Sequence, residues 1–197
     1  MDILSWLSIL NILVLLFSLY QVSTILSERR SAYIILICMA LVSYLISNIV
    51  FLGDNTLSST IRFLNLTALV CILSALFSLI RESKPIFARF PPILSYLPFI
   101  TLLFIPLVLE NTVIYNLLLG TFQGGSIFVA TMIFILNKMN KKESRWQISG
   151  CILLIISFVV YWFSSLTLVQ ELIITEVLLL TGILFVIIGT KKSKNKI

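Results

Sequence analysis

The chain has 197 residues, of which 59% are hydrophobic and only 11% are charged, and its mean hydropathy is +1.12. A soluble domain has about 45–50% apolar and about 25% charged residues, so this composition excludes a water-soluble globular domain. The net charge of +6 needs no nucleic-acid partner, because membrane topology and anionic lipid headgroups account for it.

Apolar runs recur from Leu4 to Gly189, separated by short charged or turn-forming segments. A helix needs about 20 apolar residues to cross the hydrocarbon layer. The sequence therefore predicts an all-α, polytopic membrane protein: a seven-helix transmembrane domain over 1–190 and a short basic cytoplasmic tail over 191–197. The predicted spans are about 4–26, 32–52, 61–80, 92–109, 113–136, 147–166 and 170–189.

The first and last spans are the hardest to delimit. The first lacks a basic region before it and is longer than the apolar core of a signal peptide, so we interpret it as a spanning helix. The sixth and seventh are nearly continuous, with only a minimal break near Thr167.

Lysine and arginine set the predicted orientation, because cytoplasmic loops retain them. With the N-terminus outside and the C-terminus in the cytoplasm, every one of the 14 basic residues except Arg62 lies on the cytoplasmic side. Only an odd number of spans, close to seven, gives this distribution. We expect a multi-pass membrane protein in contact with membrane lipids.

Ionisable and amide side chains near the outer ends of the spans predict a polar, outward-facing pocket, because such groups are costly inside a membrane. Arg62, at the start of the third span, can pair with Glu171 or Glu176 of the seventh. The alternative is interhelical hydrogen bonding that holds the bundle together. The candidate residues are Asn48, Arg62, Asn65, Asn116, Glu171 and Glu176.

The fifth span contains a second candidate site at mid-membrane. Asn116, Gly120 and Gly124 follow one another at four-residue spacing, with Gln123 and Gly125 beside them. Small residues at this spacing favour close helix packing, within the fold or in a dimer. A locally unwound helix that exposes its backbone to a solute is the alternative, with Gly120, Gln123, Gly124 and Gly125 as its site.

Prolines mark the fourth span, which Pro91-Pro92 precedes and which contains Pro98 and Pro106. Each proline removes a backbone donor and kinks a helix. The sequence predicts a fixed bend here, or alternatively a hinge.

Several chemistries lack the residues that they require. The chain has no histidine, which removes imidazole ligation of haem or metal and the Ser–His and Cys–His nucleophiles. Cys38, Cys71 and Cys151 lie in apolar runs without CxxC spacing. The last span has no lysine for a retinal Schiff base. We therefore expect no enzyme, no cofactor and no metal site.

Short turns and loops separate the predicted spans. They are Glu28-Arg29-Arg30, Gly53-Asp54-Asn55-Thr56, Glu110-Asn111 and Lys141-Lys142-Glu143-Ser144-Arg145. With the outside N-terminus and the proline-bearing fourth span, this organisation resembles the seven-helix membrane sensor module of bacterial histidine kinases. The resemblance covers the whole chain, and it implies that the protein lies in a bacterial cytoplasmic membrane. Such a kinase continues into catalytic domains where this sequence ends at Ile197, so the resemblance implies that a signal passes to a separate partner.

Three functional hypotheses follow. The first is a non-catalytic sensor or accessory subunit that relays to or supports a protein partner, or acts as a homo-oligomer. The alternative is a small-solute transporter or channel with a mid-membrane site near Gln123, although the Pro-Gln pairs of seven-helix sugar transporters are missing. A third is an enzyme acting on lipid headgroups through Arg62 and Glu176. We expect the first.

Overall fold

The described part of the protein is helical and contains no strand. The computed structural model describes residues 3–28, 31–54, 59–83, 88–104, 111–139 and 145–163, together with 178, 181, 182 and 185. The helices are α1 (Ile3–Glu28), α2 (Ala32–Asp54), α3 (Ser59–Ser83), a 3₁₀ helix (Pro92–Phe104), α4 (Thr112–Met139) and α5 (Arg145–Phe163).

Four of these helices contain segments long and apolar enough to cross a membrane, and this confirms an all-α, membrane-embedded protein. These segments are Ser8–Ser27, Ala32–Gly53, Ser59–Arg81 and Val113–Met132. Pro92–Phe104 and Ser149–Val160 are shorter apolar segments at the fourth and sixth predicted spans. Most of the seventh predicted span lies outside the described residues, although Leu178, Thr181, Gly182 and Phe185 are helical.

The buried face of α1 carries several polar residues, whereas its exposed face carries large apolar residues. In α1 the buried side chains include Ser8, Asn11 and Ser18, whereas Trp6, Leu13, Phe17 and Tyr20 are among the exposed ones. A soluble helix would show the reverse, because water favours an exposed polar face. In lipid, small residues allow helices to approach closely while large apolar residues face the acyl chains.

The chain divides into two compact units, Met1–Gln21 with Ala130–Ile197, and Val22–Val129. In the second unit α3 is the central helix, since 56% of its span is buried, against 22–28% for the other three spans. Ala68 and Cys71 of α3 pack with Ala40 of α2, and Phe99 of the 3₁₀ helix covers this cluster. Small buried side chains along α3 thus allow close packing on more than one face.

Residues 92–104, the described part of the fourth predicted span, form a 3₁₀ helix rather than a bent α-helix, and Pro106 lies outside the described residues. In an α-helix the Pro98 ring would clash with the carbonyl of Leu94, four residues earlier, which disfavours the α-helical pattern here. Three residues per turn align Ser95 and Pro98, both buried, and the next residue of this row, Thr101, donates its hydroxyl to the Pro98 carbonyl at 2.7 Å. The 13 residues extend about 26 Å at about 2 Å per residue, against about 20 Å as an α-helix.

Two contacts show that α3 and α4 run parallel. Arg62 meets Tyr115 near the starts of the two helices, and Leu73 meets Gly125 further along both. The two residues on α3 are 11 positions apart and the two on α4 are 10 apart. The helices therefore keep nearly the same register over about 15–16 Å.

The start of α4 is fixed by a side-chain cap. The Asn111 Oδ1 accepts hydrogen bonds from the backbone N–H of Val113 at 3.0 Å and of Ile114 at 3.3 Å. Asparagine is among the best residues for this role, because its oxygen satisfies donors that lack a carbonyl partner in the first turn. The cap places Tyr115 in the first turn of α4, on the buried face.

The first unit contains a close approach between α5 and the helical residues near 182. A Cβ added at Gly182 would lie 3.0 Å from the Gly150 carbonyl oxygen and 2.9 Å from Leu154 Cγ. Nearby, Trp146 and Phe185 meet edge to face, with ring centroids 5.2 Å apart. Only glycine at position 182 permits this approach without displacement of α5.

Candidate functional site

The C-terminal part of α2 and the N-terminal part of α3 are joined by a side-chain hydrogen bond. The Ser47 hydroxyl donates to Oδ1 of Asn65 at 2.8 Å. Ser47 is buried and Asn65 is half-buried. Asn65 is one of the residues predicted to line the outer pocket, and here its oxygen serves as an interhelical acceptor.

Arg62 lies one turn before Asn65, and its guanidinium carbon is 5.8 Å from the centre of the Tyr115 ring. Tyr115 is buried, whereas Arg62 is half-buried. An arginine above a tyrosine ring at this distance makes a favourable cation–π contact. The contact connects α3 to α4 at the same end of the unit at which Ser47 connects α2 to α3.

The other described candidates do not join this group. The Asn48 amide donates to the Tyr44 carbonyl of its own helix at 3.0 Å, so this bond is local to α2. Asn116 is exposed, although its neighbour Tyr115 is buried. Glu171 and Glu176 lie outside the described residues.

The residues brought together are thus Ser47, Arg62, Asn65 and Tyr115, which we call the outer cluster after the predicted outer pocket to which Arg62 and Asn65 belong. The sequence prediction contained Arg62 and Asn65 but not Ser47 or Tyr115. Asn48 and Asn116 were predicted to line the pocket, and Ser47 and Tyr115 are the residues directly before them in the sequence. A helical wheel of α4 gives a signal for Tyr115, because Tyr115, Leu119, Phe122, Ser126 and Val129 form its buried face.

The mid-membrane candidates lie on an uninterrupted helix. Residues 112–139 are α-helical throughout, including Gly120 to Gly125. A Cβ at Gly125 would lie 3.8 Å from both Leu73 methyl carbons, which is an ordinary packing distance. Gly120, Gln123 and Gly124 are half-buried. This geometry favours helix packing over an unwound, solute-exposing segment.

The chemistry available to the outer cluster is hydrogen bonding and charge. It contains a guanidinium, an amide, a hydroxyl and a phenol ring, and none of these is a metal ligand of choice. Among the described residues, no three His, Cys, Asp or Glu side chains come together as a metal site requires. The cluster can recognise an acceptor group or fasten helices.

The fold and this cluster define the class of the protein: a membrane-embedded helical protein with polar contacts between helices at one end of its second unit. Comparisons with models of known protein families, with curated proteins and with solved structures gave no match.

Proposed function

We propose that this chain is a non-catalytic sensor or accessory subunit that relays to or supports a separate protein partner. In the proposed arrangement it has seven spans, with the N-terminus outside and the C-terminus in the cytoplasm of a bacterial cell. The resemblance to kinase sensor modules and the distribution of basic residues support this arrangement.

One observation carries the proposal: the outer cluster couples three helices. Ser47 links α2 to α3, and the contact between Arg62 and Tyr115 links α3 to α4. Single interhelical hydrogen bonds in membrane proteins contribute about 0.6 kcal/mol on average. A cue that contacts this end can therefore rearrange three helices at small cost, which a sensor requires.

The mid-membrane geometry does not favour the transporter alternative. Gly125 packs against Leu73, and α4 continues through the glycines without a break. Solute sites in many transporters use discontinuous helices. We therefore propose no transport function.

The test is crosslinking in native membranes followed by affinity purification of the tagged full chain and mass spectrometry. We expect a protein partner in near-stoichiometric amount. As a control, tagged membranes are solubilised first, mixed with untagged membranes and then crosslinked, to reveal association after lysis. Recovery of monomer alone, or solute flux by the purified chain in liposomes, would contradict the proposal.

A further inference from the structure

The turn between α3 and the 3₁₀ helix carries an exposed arginine. The structure describes residues 88–91 of this turn, and all four are exposed. Arg89 makes no hydrogen bond, ion pair or ring contact with the described part of the chain. Its guanidinium has five N–H donors and is always charged. This cation is therefore accessible to an anionic group from outside the chain.

A hydrogen bond places the turn at the edge of the apolar layer. The Nε of Arg81 donates to the Phe90 carbonyl at 3.2 Å, and Arg81 is the last residue of the candidate membrane span of α3. The next apolar segment, Pro92–Phe104, begins directly after the turn. Because one apolar segment ends here and another begins here, the turn lies where the hydrocarbon layer meets the headgroup region.

The surface beside Arg89 is apolar. Residues 90–94 are all exposed and all have apolar side chains, with Phe90 at 53% and Ile93 at 73% exposure. A water-soluble acidic partner that met Arg89 would leave this apolar surface uncovered. A phospholipid matches both parts, because its headgroup meets the cation while its acyl chains meet the apolar side chains.

We infer that Arg89 binds the headgroup of an anionic phospholipid, while Phe90 and Ile93 contact the acyl chains beside it. The turn then selects anionic over zwitterionic lipids, because a basic side chain near the membrane surface attracts anionic lipid. This inference goes beyond the proposed sensor or accessory role, and it does not depend on a protein partner.

Photo-crosslinking of the purified full chain in liposomes tests the inference. Phe90 is replaced by p-benzoylphenylalanine, and the liposomes contain phosphatidylglycerol and phosphatidylcholine in equal amounts. Mass spectrometry of the adducts gives the ratio of the two lipids beside the turn. We expect phosphatidylglycerol to be enriched about fivefold over the bulk lipid, the effect of one basic side chain near anionic lipid. High salt should reduce the enrichment, because it screens exposed charges.

Substitutions at Arg89 separate its charge from the rest of the turn. Arg89→Gln should bring the ratio close to that of the bulk lipid, whereas Arg89→Lys keeps the charge and should retain most of the enrichment. The positional control carries the photoreactive residue at Leu103, which is 77% exposed near the other end of the 3₁₀ helix. The ratio at Leu103 should not change with Arg89→Gln. Circular dichroism establishes that each variant retains its helix content.

A bulk ratio at position 90, or the same enrichment in folded Arg89→Gln, would overturn the inference. If Arg89→Gln does not fold, an enrichment at position 90 that persists in high salt would overturn it instead. In native membranes the same crosslinker should capture lipid, and capture of an acidic protein there would also contradict lipid binding by the turn. Failure to recover a protein partner would sink the proposed function without changing the lipid ratios, so the two failures are distinguishable.

Discussion

Tyr115 contacts Arg62 through its ring. The contribution of the ring can therefore be distinguished from that of the hydroxyl by two substitutions. Tyr115→Phe keeps the ring, whereas Tyr115→Leu removes the cation–π contact, so Tyr115→Leu should cost about 0.5–1 kcal/mol more than Tyr115→Phe. Unfolding by SDS in mixed micelles, followed by circular dichroism, measures both. Equal destabilisation by the two variants would show that the hydroxyl, and not the ring, is important.

The bond between Ser47 and Asn65 is best tested by a double-mutant cycle. Alanine substitutions at both positions, singly and together, should give a coupling free energy of about 0.6 kcal/mol, with about 1.7 kcal/mol as the upper end for such bonds. Asn48 supplies the matched control, because its amide bonds within α2. A cycle of Asn48→Ala with Asn65→Ala should show no coupling, and coupling of equal size there would refute the assignment.

At the scale of single residues, the sequence predicts how deep in the membrane a residue lies. It does not predict which face of the helix carries the side chain. Arg62 was predicted to be able to pair with Glu171 or Glu176 of the seventh span, and the structure shows its contact with Tyr115 of α4. Glu171 and Glu176 lie outside the described residues, so that pairing stays a prediction. Asn116 has the expected position along α4, but its side chain is on the exposed side.

At the scale of helix pairs, alanine substitutions at two glycines should have different effects on stability. Gly182→Ala places a Cβ 3.0 Å from the Gly150 carbonyl oxygen, so we expect destabilisation of about 1–3 kcal/mol from overpacking. Gly125→Ala meets only Leu73 methyl carbons at 3.8 Å. It should be neutral, or stabilising by up to about 1 kcal/mol through helix propensity. The same SDS unfolding measurement compares them, and equal effects would contradict the close approach at Gly182.

The helices themselves were largely predictable, because unbroken apolar runs bounded by charges are a strong signal. The predicted spans at 32–52 and 113–136 lie within α2 and α4. The 3₁₀ helix was not predicted, since proline in an apolar run indicates a disturbance without specifying its form. Pro98 was interpreted as a bend or hinge, and the structure accommodates it by a change of helix type.

At the scale of the whole molecule, the proposed orientation is open to a direct test. A cytoplasm-active reporter, such as a fluorescent protein, should be active when fused after Ile197, and a periplasm-active phosphatase should be inactive there. The matched fusion within the predicted outer loop at 54–56 should give the reverse. The same reporter active at both positions would contradict the predicted topology.

The parallel contacts of α3 and α4 have a mechanical consequence. Two attachment points about 15–16 Å apart resist rotation of one helix about its own axis, because a turn of α3 would separate both Arg62 from Tyr115 and Leu73 from Gly125. Displacement of the pair along or across the membrane leaves both contacts intact. A force applied at the starts of α3 and α4 thus moves the two helices together, as a displacement or a tilt of the pair rather than as a rotation of one helix.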